Sequence, residues 1–445
     1  MELALPFNSR KITFELPLSP GNLAIARRPP RPEPADWAEL AERALNSPIG
    51  AQPLQKGELA GKSVAVLLQP SLADAAQIIL PHVIDLLEQA SAARIVIIGC
   101  CSPLPPSPTP PILSSPFLAR FVQHDPVTSE SAFRGFSALG TPIFINKAAA
   151  EADVRIAVGS VQPHPWLGYS GGCGAIIPGI AAAPTLIRHL SLCFSLNSSC
   201  GRLGDNPARL DAEYAATVVG LDFILDFVLT LDGKPVAAFA GDPIRAHRAA
   251  VNSGDKLVWG AELGGLADAA IASPGDAANE EGEPDEQAGA FSPNLERGVG
   301  GEGVFDPCTL DFIAAGVKPR GTIVLLAGTG HLPVPDDPFE CELLAMPVPE
   351  LAALFEKRDW PADSEASLDR LLAILRMWAV RRIFFSRDVH LVGSTLSSDE
   401  LDRLNAAQDA SIEEAIEPML VLGGKNARVA LVPDAASTLC LAELH

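Results

Sequence analysis

The sequence predicts an α/β protein of two domains, each with a mostly parallel sheet flanked by helices and with a ligand cleft between them. Three observations lead there. The chain has 445 residues, 48% hydrophobic and only 20% charged, enough to bury more than one core. Short apolar runs such as Ser63–Leu68 and Arg94–Gly99 alternate with helix-length segments, the pattern of strands buried on both faces of a parallel sheet. The alternation then restarts beyond residue 260, which places the domains at 1–252 and 253–445.

Residues 1–60 read as short strands, a proline-rich connector from Arg27 to Pro34, and a helix over Trp37–Leu45 stopped by Asn46-Ser47-Pro48-Ile49-Gly50. Strand Ser63–Leu68, helix Leu72–Gln89 and strand Arg94–Gly99 follow. Strand Val154–Gly159 comes next and delivers His164 just past its C-terminal end, the edge where open α/β sheets hold ligands. A helix from Pro178 to about Leu192 is expected, because proline suits a first helical turn. A helix from Asp211 leads into strand Phe223–Leu231, Lys234–Phe239 closes a hairpin, and Gly241–Gly260 reads as helical. The second unit comprises strand Asp268–Ser273, helix Leu310–Ala315, strand Gly321–Ala327, helix Ser364–Trp378, strand Arg381–Phe385, helices Ser397–Gln408 and Ile412–Leu422, and strand Ala427–Pro433. Between its first two elements, Gly275–Gly303 is a long acidic loop without periodicity.

A net charge of −21 excludes nucleic acid and anionic membrane as partners, since both require a basic surface. It leaves room for a small anionic metabolite, which a few local donors decide. The eight cysteines are dispersed without the paired spacing of a zinc site and read as free thiols. With no signal-peptide pattern and no apolar run of about 18 residues, a cytoplasmic protein is expected. Nothing in the sequence sets the oligomeric state.

The most informative segment runs from His164 to Ile180, His-Pro-Trp-Leu-Gly-Tyr-Ser-Gly-Gly-Cys-Gly-Ala-Ile-Ile-Pro-Gly-Ile. It joins a titratable imidazole to Gly168, Tyr169, Ser170, Gly171, Gly172 and Gly174, where missing side chains let a ligand approach the main chain. A loop histidine that is a mere hydrogen-bonding strut is the plain alternative. His189 is either a buried helix residue or a metal ligand, and His247 a buried structural residue.

This segment resembles the motif of the nickel-pincer lactate racemase family: a histidine, then Gly-Phe/Tyr-Ser-Gly-Gly, one residue, a lysine, an apolar pair and Pro-Gly-Ile. Ser47-Pro48-Ile49-Gly50, Asn206-Pro207-Ala208-Arg209-Leu210-Asp211, Gly220-Leu221-Asp222-Phe223-Ile224 and Gly241-Asp242 with Ala246-His247 extend the likeness over residues 1–252. The resemblance implies 2-hydroxy-acid racemase or epimerase ancestry, His164 as a base on the substrate hydroxyl, and His189 as the protein ligand to nickel. Three positions depart. Gly174 stands where the family has the lysine that carries the pyridinium-thioamide cofactor. The stretch Gln69-Pro70-Ser71-Leu72-Ala73-Asp74 lacks its substrate-gripping arginine, and Gly99-Cys100-Cys101 lacks its second histidine. In the second half, Gln287 is a weak counterpart of a cofactor-contacting glutamine and Ala290 replaces a lysine. Any nickel-pincer nucleotide is therefore not covalently attached here, or no cofactor is used. Three functions stay open: a divergent racemase-like enzyme, altered or inactive; a non-catalytic protein that binds a small carboxylate such as a 2-hydroxy acid; and a different lyase or isomerase chemistry that uses His164 with a divalent ion and no nucleotide.

Overall fold

The computed structural model describes residues 1–7, 10–30, 32–53, 57–101, 115–230, 233–274, 307–327, 365–435 and 438–441, with single positions 342, 346 and 350. The acidic stretch 275–303, including Gln287 and Ala290, lies outside the described residues.

The first sheet has six strands in the order Pro235–Gly241, Phe223–Leu229, Val154–Val161, Ser63–Leu68, Arg94–Gly99 and Phe121–Gln123. All neighbours are parallel except the first pair, an antiparallel hairpin. Helices Trp37–Asn46 and Ala76–Gln89 cover one face, where Leu40, Ile79, Val83 and Leu87 pack on Val64, Val66 and Leu225. Helices Ala183–Ser191 and Pro207–Val219 cover the other with the fully buried Ala175–Ile177 segment. The central strands are buried on both faces, which is why they read as unbroken apolar runs rather than alternating ones.

The second sheet is wholly parallel, in the order Ala407–Asp409, Asp388–Val392, Val317–Leu326, Ala267–Ala272, Val429–Val432 and Leu23–Ile25. Its last strand comes from the N-terminal end of the chain, and the hairpin Glu2–Phe7/Arg10–Glu15 packs Leu5 and Phe14 onto the same sheet. Sequence order and sheet membership thus interleave at the N-terminus. Among the described residues, no helix is long and apolar enough to cross a membrane.

Four expected elements are corrected. The helix expected over Ser397–Gln408 is Ser398–Leu404, before the strand Ala407–Asp409, and that expected over Gly241–Gly260 is Arg245–Gly254, with strands ending at Gly241 and starting at Gly260. The strand expected at Arg381–Phe385 is the last part of one helix, Glu365–Ser386. That helix lies between both cores: Leu368, Leu371 and Leu375 enter the first, Ile374, Trp378 and Phe384 the second. A helix buried on opposite sides loses its one-sided stripe, and its apolar end imitates a strand. The helix expected from Pro178 begins instead at Ala183, with Pro184 in its first turn. Pro178 lies in a preceding buried turn, where the Gly179 N–H donates to the Gly174 carbonyl at 3.0 Å.

Candidate functional site

The C-terminal ends of three parallel strands bring together Gln69, Cys100, Cys101 and the segment Ser160–His164. The turn 172–181 lies across them: the Cys101 N–H donates to the Gly179 carbonyl at 2.7 Å and the Cys101 thiol to the Pro178 carbonyl at 3.4 Å. Ser160 Oγ donates to Ser71 Oγ at 2.8 Å, so the position resembling the family's arginine contributes a neutral hydroxyl. Burial pushes the Cys101 thiol up to about 12, the main-chain hydrogen bond opposing and the nearby Asp125 assisting, and keeps it protonated.

Most space beside the glycine-rich loop is filled by the protein itself. A Cβ on Gly168, which has φ +76°, would stand 1.8 Å from the Arg202 carbonyl oxygen. At Gly171 it would meet Asp226 Oδ2 at 2.9 Å, and at Gly172 the His247 ring at 3.0 Å. Tyr169 is fully buried and donates its hydroxyl to Asp255 Oδ1 at 2.7 Å. Ser170 donates to the Ser160 carbonyl at 2.9 Å and accepts the Gln162 N–H at 3.0 Å. Gly174 differs: a Cβ there would meet only Leu167 Cδ1 at 3.8 Å and Gln69 Nε2 at 3.9 Å, ordinary contacts that a Cβ tolerates.

Beneath the loop lies a buried charged layer. Arg209 donates from Nη1 to the Tyr169 and Gly171 carbonyls at 3.3 Å and from Nε to Glu213 at 2.8 Å, and Arg248 reaches the same Glu213 oxygen at 2.7 Å. His247 Nε2 bonds the Ser170 carbonyl at 2.7 Å, which gives the buried structural role expected of it. Asp226 Oδ2 accepts the Gly172 N–H at 2.8 Å, and burial raises that carboxyl to about 7 against the lowering effects of Gly172 and Arg209. A lone aspartate inside the apolar run Phe223–Leu229 was the available sequence signal for this layer. Nor is an open helix N-terminus left for an anion: the Ala183 N–H donates to the Pro126 carbonyl and those of Thr185 and Leu186 to Ala182.

The two histidines singled out from sequence are wired in opposite senses. His164 Nδ1 accepts the Trp166 N–H at 3.2 Å and the Leu167 N–H at 3.1 Å. A main-chain N–H can only donate, so the neutral ring carries its proton on Nε2. Burial lowers this imidazole to about 3, with the nearby Arg209 guanidinium acting in the same direction. His189 is buried, with Nδ1 2.8 Å from Asp211 Oδ2. Asp211 also accepts from Thr141 Oγ1 at 2.9 Å and from Ser137 Oγ, and these hydrogen bonds with His189 hold its carboxyl below the usual range despite burial. An ionised Asp211 can only accept, so His189 Nδ1 donates to it and Nε2 is the ring nitrogen left for another partner.

Residues 8–201 match the family model of the lactate racemase N-terminal domain. The chain is 30% identical over 257 residues to a lactate racemase of Thermoanaerobacterium thermosaccharolyticum, an alignment that takes in 55% of this chain and 60% of that protein, less than two thirds of the relative. To the lactate racemase of Lactiplantibacillus plantarum it is 28% identical over 423 residues, 89% of each chain. Residues 8–201 thus carry the lactate racemase N-terminal domain. The structure of the lactate racemase apoprotein from T. thermosaccharolyticum superposes with a TM-score of 0.64 at 22% identity, covering 99% of this chain and 100% of the other, so the family fold is kept along the chain.

The cofactor that the family resemblance implies can be tested against these residues. His189, held at Nδ1 by Asp211, has the form of a metal-ligating imidazole whose Nε2 would be the ligating atom. Gly174 would tolerate a Cβ but carries no amine to form the linkage. Among the described residues, no group of three or more His, Cys, Asp or Glu side chains is placed to hold a metal ion. A lysine-tethered group does not fit this chain.

Proposed function

We propose that this lactate racemase-like protein binds a small carboxylate of the 2-hydroxy-acid class and does not racemise it. One observation carries the reading: the His164 lone pair at Nδ1 is committed to the Trp166 and Leu167 N–H groups. Interconverting the two antipodes requires a base at the ligand hydroxyl for each hand. A ring protonated at Nε2 donates a hydrogen bond instead, which suits a carboxylate or hydroxyl oxygen. The Gln69 amide, beside Gly174, supplies a second donor. Ser71 and Cys101, standing where the resemblance expects an arginine and a histidine, add neither a cation nor a base. The ligand sits at the edge of the first sheet, in a cleft closed by the second unit. The units divide at 252–253 except that the hairpin Glu2–Phe7/Arg10–Glu15 and Leu23–Ile25 pack with the second.

A second reading has its own support. His189 presents the Nε2 lone pair that a metal requires, so an untethered nickel nucleotide and residual turnover would suit that ring.

Metal analysis and an ultraviolet scan of natively purified protein, with calorimetric titration of D- and L-lactate and a chiral racemisation assay, separate the two. Saturable binding of lactate without turnover, nickel or chromophore is expected. Near-stoichiometric nickel with a released chromophore and turnover would overturn the first reading in favour of the second.

A further inference from the structure

The inference below rests on His164 acting as a hydrogen-bond donor. The two N–H groups that meet its Nδ1 belong to successive peptide planes, Pro165–Trp166 and Trp166–Leu167. Each plane is also held at its carbonyl end. The Pro165 oxygen accepts from Arg382 Nη2 at 3.1 Å, and the Trp166 oxygen from Asn206 Nδ2 at 2.8 Å. A trans peptide is rigid, with its C=O and N–H pointing in opposite directions, so fixing the oxygen fixes where the N–H points.

Both clamps are themselves fixed. Asn206 is fully buried, and its Oδ1 caps the helix Pro207–Val219 by accepting the Arg209 N–H at 3.0 Å, which turns Nδ2 towards Trp166. Arg382 is 2% exposed, pairs with Asp311 and also donates to the Ser198 carbonyl. Asp311 in turn accepts the Cys200 N–H at 3.3 Å.

We propose that Asn206 and Arg382 are positioning residues that set the tautomer of His164, each holding one peptide plane so that its N–H occupies Nδ1. They make the ring a donor at Nε2 without touching the imidazole. Arg382 lies on the long helix Glu365–Ser386 that bridges the two cores, so the polarity of His164 depends on how that helix is seated. Withdrawal of Arg382 releases the Pro165–Trp166 plane, and with both clamps gone Nδ1 is open to a proton and Nε2 becomes the lone pair of a base.

The test is the imidazole nitrogen spectrum of the full-length, 15N-histidine-labelled protein, with His164 assigned by loss of its signals in His164→Gln. The wild type is expected to show one tautomer, protonated at Nε2. Asn206→Asp keeps an oxygen to cap Arg209 and removes the amide donor, while Arg382→Met paired with Asp311→Asn removes the second clamp without leaving a buried carboxylate alone. Each variant is expected to shift His164 to an averaged mixture of tautomers, their combination to reverse it, and Arg382→Lys to retain much of the wild-type signal. Folded variants that keep the Nε2–H tautomer unchanged would overturn the proposal, as would a wild-type ring protonated at Nδ1, which requires no variant to fold. Failure of D- or L-lactate to bind the wild type counts against the carboxylate reading alone, since the tautomer is read without ligand.

Discussion

His164 and His189 are near enough to interact electrostatically, and the same side chain has opposite polarity in the two places. Main-chain N–H groups occupy Nδ1 of His164 and make Nε2 a donor, whereas Asp211 accepts a hydrogen bond from Nδ1 of His189, so that in the neutral ring Nε2 is the acceptor. An imidazole acquires a role from what holds its far nitrogen, and a histidine in a family motif is not by itself a base.

The comparison breaks most severely at Asp211. Asp211→Ala leaves Ser137, Thr141 and His189 without their buried acceptor and should cost about 3–5 kcal/mol in chemical denaturation. The Nε2 lone pair of His189 loses its fixed direction with it. A loss of less than about 1 kcal/mol would show that Asp211 does not govern that ring.

Gly168→Ala strikes the turn that holds His164. Its Cβ would overlap the Arg202 carbonyl and the positive φ disfavours any side chain, so a loss of at least about 2 kcal/mol is expected. Gly174→Ala, five residues after Tyr169 in the same segment, should change stability by no more than about 0.5 kcal/mol because nothing stands nearer than 3.8 Å. Equal effects at both positions would contradict the packing described.

The pH dependence sharpens the His164 side. Its folded-state value of about 3 lies below the ordinary 6.5, so the unfolded chain binds an extra proton between them. This contribution to stability is complete above about pH 6.5 and is lost as pH falls towards 3. His247, also lowered by burial, acts in the same sense. Asp226 acts oppositely: raised to about 7, its contribution is complete below pH 3.8 and is lost as pH rises through 7. His164→Gln should therefore flatten the acid limb by up to about 1.4 kcal/mol per pH unit, and Asp226→Asn should flatten the neutral limb. An unchanged acid slope in His164→Gln would mean that the ring is not held neutral.

The smallest expected effect is on activity. Gly174→Lys supplies the amine, and the chiral assay should still show no lactate racemisation after cofactor loading, because Ser71 and Cys101 leave the arginine and second histidine absent. Turnover after that single change would show that His164 can be released to act as a base.

Much of this was legible in the chain. The strands Ser63–Leu68 and Arg94–Gly99 were readable with their bounds because burial on both faces leaves a short apolar run between turn residues. The expected strand Val154–Gly159 is the first part of Val154–Val161, and His164 lies just past its end, which is where the sequence places the candidate site. The helix Glu365–Ser386 was cut short because contact with two cores erases the one-sided pattern that marks a helix. Asn206 was visible as a motif landmark, while its hold on Trp166 was not.

The sequence by itself determined the α/β class, the family likeness of its first half, and the absence of a lysine at 174, an arginine near 71 and a histidine at 101. Those are statements about which atoms exist. Only the tertiary structure decided which nitrogen of each histidine is held by a partner and which glycines would tolerate a Cβ. The physical reason is that hydrogen-bond polarity and free space are set by groups far apart along the chain: Asp211 lies 22 residues from the ring it orients, and Arg382 lies 217 residues from the carbonyl it holds. No local pattern encodes such pairings, and they form when the two sheets and the helix between them pack together.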